Sequence, residues 1–252
     1  MYFSGFLPFG LIKMHKQIKL AIFDNICYNK LILNLGDGKM QGAIFDVDGT
    51  ILDSMSVWVD ITNEFFADHG IHISKEQTLS YQSMSFEESL VGIQRDYLPE
   101  MSVEDMFAEF SRRAAEKYAK NLPPKPYVCE YIHKLHENGV KIAAATSGFP
   151  ELVYSAFKRL GIYDCFSAYA FSSEVGCSKS SPDIYLLAAK RLGLEPGVCT
   201  VYEDIATGIE SAKSAGFMTV AVEDPTNAHI KDRLIQHSDC YITGWNELLS
   251  NI

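Results

Sequence analysis

Four short apolar runs, at 43–45, 140–145, 200–202 and 218–222, recur along the chain with helical patterns between them, and this alternation constrains the fold more than any other feature. The helical segments carry their own punctuation. Residues 126–138 place Val128, Ile132 and Leu135 on one face and stop at Gly139; 150–160 stops at Gly161, 182–192 at Gly193 and 205–215 at Gly216. Pro126, Pro150 and Pro182 open three of them. Proline is tolerated in a first helical turn, whose N–H groups lack intrahelical partners anyway, and glycine takes the left-handed conformation that ends a helix. Alternation of this kind predicts a parallel sheet covered on both faces and joined by right-handed crossovers.

Residues 56–122 break the pattern. Their apolar positions, Trp58, Ile61 and Phe65, then Met106, Phe110, Ala114 and Tyr118, keep helical spacing with no strand run between them. An all-helical insertion is therefore expected directly after the first strand and its turn. It returns through Leu122-Pro123-Pro124-Lys125-Pro126, whose prolines favour a stiff, extended linker. The chain divides accordingly into a core of 40–55 plus 123–252 and an insertion of 56–122, within the size that 252 residues allow.

Residues 1–39 stand apart. They hold five Lys and two Asp, whereas the remainder holds 17 basic and 30 acidic residues, so a +3 segment precedes a −13 one. The apolar run 5–12 is far shorter than the roughly 20 residues that span a bilayer, is broken by Pro8, and is followed by no small-residue cleavage site. Two readings stay open: a weak interfacial helix, or upstream sequence read as protein, with translation beginning at Met40. Codons for Gly36-Asp37-Gly38 are compatible with a bacterial ribosome-binding site before Met40. The overall net charge of −10 disfavours a nucleic-acid or anionic-membrane binder, either of which needs an electropositive face. Six scattered cysteines with no C-x-x-C pair suggest neither a zinc site nor a disulfide framework, and are expected to be reduced thiols of a cytoplasmic protein.

The first run ends in Asp46-Val47-Asp48-Gly49-Thr50, which sets two acids two positions apart at the edge where open α/β sheets place ligands. Neighbouring carboxylates repel each other; a cation relieves the repulsion while leaving an oxygen free to attack. The second run ends in Thr146-Ser147-Gly148 before a helix, offering a hydroxyl and backbone N–H groups to an anion. Lys179 directly precedes another helix, and Glu203 and Asp204 end the third run. Each feature alone is explained by a helix cap or a solvated turn. Four sheet-edge loops in this order, each with a phosphate- or metal-handling group, are not easily four independent caps.

With these residues in place, the sequence resembles the haloacid dehalogenase superfamily, and within it the β-phosphoglucomutase-like branch of phosphatases and mutases. The stretches that carry the resemblance are D-V-D-G-T-I-L-D-S, A-T-S-G, S-K-S-S-P-D-I-Y and V-Y-E-D-I-A-T-G-I-E-S-A-K-S-A-G, within a match over 40–249. The resemblance implies a Rossmann-like, three-layer α/β/α core with an inserted helical cap closing over a Mg²⁺-dependent site. Ser180 departs from the family pattern, which usually has proline after the lysine, and puts only the rigidity of that loop in question.

Carried over by position, the resemblance implies that Asp46 is a nucleophile forming a phosphoaspartate. Asp48 would protonate the leaving alkoxide and then activate water, Thr146 and the Ser147 N–H would hold phosphoryl oxygens beside Gly148, and Lys179 would offset charge. Mg²⁺ would bind Asp46, the Asp48 carbonyl and Asp204, with Glu203 in or near the shell. The retained Asp48 disfavours dehalogenation, which has no alkoxide to protonate. Trp58 and Phe86 stand where the mutase branch has a His and a phosphate-gripping Arg, so hydrolysis of a sugar or nucleoside monophosphate is expected, with both aromatics and the loop 81–86 packing on substrate or on the closed cap. Core packing is the equal alternative for Trp58. A sugar phosphomutase gripping its second phosphate with Arg95, Arg112 or Arg113 is one competing reading, and a non-catalytic phospho-acceptor or regulatory domain another. The expected partner is a small phosphorylated metabolite rather than nucleic acid or membrane, the expected assembly a monomer or weak homodimer, and the expected location the cytoplasm.

Overall fold

Strand β1, Gly42–Phe45, lies at the middle of a six-stranded sheet in a computed structural model that describes residues 40–74, 77, 81, 86–120 and 122–249. The segment 1–39, with both readings of it, lies outside these residues, as do 82–85 of the loop 81–86. The other strands are β2 Lys141–Thr146, β3 Phe166–Phe171, β4 Cys199–Glu203, β5 Met218–Val222 and β6 Cys240–Ile242. All pairings are parallel, in the order β3-β2-β1-β4-β5-β6. That order reverses direction at β1, which places the C-terminal ends of β1, β2 and β4 side by side at the switch point.

Helices cover both faces, as continuous apolar strands require. Side chains alternate across β1: Phe45 enters a layer with Tyr131, Tyr202 and Trp245, while Ile44 enters a second layer with Ile184, Tyr185 and Val201. Phe45 and its register partner Tyr202 stack with ring centroids 4.6 Å apart.

Helices α1 Met55–Asp68, α2 Phe86–Asp96 and α3 Val103–Lys120 follow β1 and form the helical insertion. The apolar stripe of α3, Met106, Phe110, Ala114 and Tyr118, is buried as its spacing predicts. The chain re-enters the core through α4 Val128–Glu137, then α5 Pro150–Leu160, α6 Asp183–Leu192, α7 Ala206–Ser214 and α8 Lys231–His237. On the return linker Lys125 is buried, its ammonium donating to the Glu223 carbonyl and to Asp224 Oδ2, both at 2.8 Å. Removing one partner of such a buried pair costs about 3–5 kcal/mol, so this contact pins the linker to the loop after β5.

Several expectations are corrected. β3 and β6 were not among the expected strands, because Phe-Ser-Ala-Tyr-Ala-Phe mixes small and polar residues and Cys240–Ile242 is only three residues long. Helix α4 begins at Val128 rather than Pro126, since Tyr127 adopts a left-handed φ of 68° that cannot belong to a helix. Helix α6 begins at Asp183, with Pro182 capping it. Cys129, Cys165, Cys177 and Cys199 are free thiols, but Cys240 is disulfide-bonded, against the expectation of reduced thiols throughout. Among the described residues, no helix is long and apolar enough to cross a membrane.

Candidate active site

Backbone geometry at the end of β1 brings the first acid to the sheet edge. The Asp46 N–H continues the ladder by donating to the Tyr202 carbonyl at 2.9 Å, and the chain then turns sharply, with Gly49 N–H donating to the Leu52 carbonyl at 2.9 Å. Gly49 has φ 89°, and a Cβ there would fall 2.3 Å from Asp204 Oδ2. Only glycine meets both demands, so the turn that carries Asp46 and Asp48 lies directly against the loop that carries Asp204.

Lys179 reaches the same point from the loop before α6. Its buried ammonium donates to Asp46 Oδ1 and, at 2.8 Å, to Glu203 Oε2, which also accepts from the Tyr185 hydroxyl at 3.0 Å. Ser211 holds the Lys179 carbonyl at 2.7 Å. Helix α7 approaches closely here because residue 208 is glycine; a Cβ would sit 2.6 Å from the Tyr185 hydroxyl and 2.7 Å from Glu203 Cγ. Burial works against the Lys179 charge, but Asp46 and Glu203 outweigh it and hold its pKa above the usual value.

Three carboxylates surround this one ammonium. Ligand atoms of Asp46, Glu203 and Asp204 lie within 4.8 Å of one another, and all three residues are buried. Asp46 Oδ2 and Glu203 Oε1 are buried without a hydrogen-bond partner. Burial first, and then the neighbouring Asp46, push Glu203 up to about 7; burial, with Asp46 and Glu203, pushes Asp204 well above the carboxylate range. An all-oxygen cluster of excess negative charge with orphaned oxygens is what a hard divalent cation fits. Asn227, in the 3₁₀ helix Pro225–Ile230 after β5, orients this cluster by donating to Asp204 Oδ2 at 2.8 Å and to its carbonyl at 3.2 Å.

Asp48 points elsewhere. Its Oδ1 accepts from the Tyr118 hydroxyl of α3, whose oxygen in turn accepts from Trp58 Nε1 at 3.0 Å. Burial raises the Asp48 pKa even though the Tyr118 hydrogen bond opposes the rise. Burial, followed by the Asp48 charge, pushes Tyr118 well above its ordinary value, so it remains a donor. Beside Asp48 the Gly148 N–H donates to Thr146 Oγ1 at 2.9 Å, curling the end of β2 into the start of α5, and the Ser147 hydroxyl pairs with Ser172 at 2.8 Å.

The structure thus gathers Asp46, Asp48, Thr146, Ser147, Gly148, Lys179, Glu203 and Asp204 at one sheet edge. Trp58 and Phe86 lie on the insertion's side of it, their rings 6.0 Å apart. Phe86 also meets Phe107 and Phe110 of α3 and Phe149 of the core, at 5.9, 5.7 and 6.2 Å. The three cap arginines are committed to neighbouring acids: Arg95 to Asp96 at 2.6 Å, Arg112 to Glu116 at 3.1 Å, and Arg113 to Asp68 at 2.7 Å and to Glu109. Sequence reasoning missed Tyr118, Asn227 and Tyr185. For Tyr118 a signal existed, a phenol at the end of an apolar stripe, because a buried tyrosine hydroxyl needs a partner. Asn227 lies in a short 3₁₀ helix with no motif.

A parallel sheet with this acid-lysine edge and a helical insertion after its first strand defines a class of Rossmann-like hydrolases. Residues 40–216 match the family model of the haloacid dehalogenase-like hydrolases, and the chain belongs to that family. Similar proteins include YhcW of Bacillus subtilis, 29% identical over 73% of this chain and 83% of its own length. Hexitol phosphatase A of Escherichia coli is 28% identical over 75% of this chain and 86% of its own. Among solved structures, CbbY from Rhodobacter sphaeroides in complex with phosphate shares the fold, with a TM-score of 0.74 and 22% identity over 84% of this chain and 98% of that one. The protein is an enzyme of the phosphatase kind.

Proposed function

We propose that the protein is a Mg²⁺-dependent phosphatase that hydrolyses a small phosphorylated metabolite, a sugar or nucleoside monophosphate, through a phosphoaspartate on Asp46. The observation that carries this reading is the Asp46 carboxylate itself: Lys179 occupies Oδ1, Oδ2 is buried without a partner, and Glu203 and Asp204 crowd it. In this reading 40–55 with 123–252 form the catalytic core and 56–122 the cap, and the protein works in the cytoplasm as a monomer or weak homodimer.

Asp46 attacks phosphorus as the bond to the leaving oxygen breaks, and Asp48 gives that oxygen a proton. Asp48 then takes a proton from the water that displaces Asp46 and frees phosphate. Thr146 and the Ser147 N–H hold phosphoryl oxygens, and Lys179 compensates the charge shared by phosphate and nucleophile. Mg²⁺ would be held by Asp46, Asp204 and the Asp48 carbonyl, with Glu203 in the outer shell, and would supply further compensation for that charge. Trp58 and Phe86 offer the leaving group an aromatic surface. The pairing of Arg95, Arg112 and Arg113 with acids supports a monophosphate substrate over a mutase's bisphosphate. Relatives named hexitol phosphatase and phosphorylated carbohydrates phosphatase agree with a small phosphate ester as the substrate class.

A panel of sugar and nucleoside monophosphates, assayed for phosphate release with Mg²⁺ and with EDTA, tests the reading. At least one compound should be hydrolysed, and EDTA should abolish the reaction. Release from none of them, or release indifferent to EDTA, would overturn it.

A further inference from the structure

The hydrogen bonds among Trp58, Tyr118 and an ionised Asp48 run in one direction, since a carboxylate can only accept. An indole N–H donates and never accepts, so the Tyr118 oxygen must accept from Trp58 at 3.0 Å, and its single hydrogen is then directed at Asp48 Oδ1. The donor is also anchored from the core. Arg159 of α5 reaches the Tyr118 carbonyl of α3 at 3.4 Å and donates to the Leu122 carbonyl just beyond that helix. Tyr118 therefore sits at the end of the insertion that returns to the core, 1% exposed and tied to α5.

Occupation of Oδ1 leaves Asp48 one oxygen for chemistry. Oδ2 is turned towards the phosphate-side loop: a Cβ on Gly148 would lie 3.1 Å from it and 3.2 Å from Thr146 Oγ1. A carboxyl group free to rotate about its terminal bond presents either oxygen in a broad range of angles, and one strong donor on Oδ1 removes that freedom.

We propose that Tyr118, held by Trp58, is a positioning residue that fixes the Asp48 carboxyl so that Oδ2 alone exchanges the proton. The inference rests on the phosphatase reading above. In the first half-reaction the Asp46–phosphorus bond forms, the bond to the leaving oxygen breaks, and the Oδ2 proton passes to that oxygen. In the second, water bonds to phosphorus, the Asp46–phosphorus bond breaks, and a water proton returns to Oδ2, so Asp48 ends as it began.

The test compares leaving groups, using kcat/KM, which reports the steps through the first phosphoryl transfer. p-Nitrophenolate departs without needing a proton, whereas phenolate and the alkoxide of glycerol 2-phosphate need one increasingly. Tyr118→Phe keeps the ring and deletes the hydroxyl. The ratio of kcat/KM for p-nitrophenyl phosphate over glycerol 2-phosphate should rise by roughly tenfold or more, with phenyl phosphate between, since proton donation contributes about 10²–10⁴-fold. Trp58→Phe removes the indole donor together with part of the ring, so it is read on the ratio of p-nitrophenyl over phenyl phosphate, two leaving groups that meet the same aromatic surface; that ratio should rise, by less than in Tyr118→Phe, and carries the comparison should Tyr118→Phe not fold. A ratio equal to wild type in the folded variants would overturn the inference, because a merely structural loss slows all three substrates alike. Failure of the wild-type protein to hydrolyse any of the three or any compound of the panel above would instead strike the phosphatase reading itself.

Discussion

Lys179 donates to Oδ1 of Asp46 while Oδ2 of the same carboxylate is buried with no partner. One oxygen is thus held by an ammonium, and the other faces the acidic cluster that a divalent cation would fit. Lys179→Met removes the ammonium and leaves Asp46, Glu203 and Asp204 without that compensation; kcat should fall by about 10²-fold or more, as when a preorganised donor is removed from a transition state. Steady-state kinetics at saturating Mg²⁺ check this, and an unchanged kcat would contradict the role given to Lys179.

Asn227 turns the Asp204 carboxylate through a 2.8 Å hydrogen bond, and partners of this kind typically govern about 10–100-fold in metal affinity. Asn227→Ala should raise the Mg²⁺ concentration for half-maximal activity by about tenfold or more. Asp204→Asn, which replaces a charged ligand by a neutral one, should raise it further. Calorimetric titration with Mg²⁺ should give the same order, whereas identical titrations for wild type and both variants would exclude these residues from the metal's surroundings.

Glu203 predicts a pH dependence of stability in metal-free protein. Its folded pKa, raised by burial to about 7 from 4.5, means that the folded state holds a proton that the unfolded chain releases. The stability linked to this group is present below pH 4.5 and is lost as pH rises towards 7. Urea midpoints measured in EDTA should therefore fall across that window in wild type relative to Glu203→Gln, and saturating Mg²⁺ should reduce the loss. Parallel pH profiles for the two proteins in EDTA would contradict the assignment.

Sequence patterning located the central strands because parallel strands buried on both faces are written as unbroken apolar runs such as Ala43-Ile44-Phe45. It located the acids because they follow such runs at the sheet edge, and Lys179 because it directly precedes a helix. It did not locate β3, whose Ser167 is exposed at the sheet margin, nor β6, which is too short to leave a pattern. The contacts that orient the acids escaped for a different reason. Tyr118 lies 70 residues from Asp48 and Asn227 lies 23 from Asp204, and such pairings are set by how the layers pack rather than by any local period.

Aromatic rings at Trp58 and Phe86, with Arg95, Arg112 and Arg113 tied to acids, leave no described cap arginine free of an acidic partner. On the phosphatase reading, water rather than a second sugar hydroxyl is then the acceptor from Asp46. β-Glucose 1-phosphate given with catalytic 1,6-bisphosphate should yield free phosphate or no reaction. Coupled glucose-6-phosphate dehydrogenase would report isomerisation, and bisphosphate-dependent glucose 6-phosphate formation outpacing phosphate release would favour a mutase.

The covalent role of Asp46 is open to direct chemical capture. Protein turning over p-nitrophenyl phosphate with Mg²⁺ is acid-quenched, treated with borohydride, which reduces an acyl phosphate to an alcohol, and digested for mass spectrometry. The account predicts homoserine at position 46 and nowhere else, and no such product from Asp46→Asn, which should also be inactive once deamidation is excluded by mass. Reduction at another carboxylate, or wild-type turnover by Asp46→Asn, would contradict it.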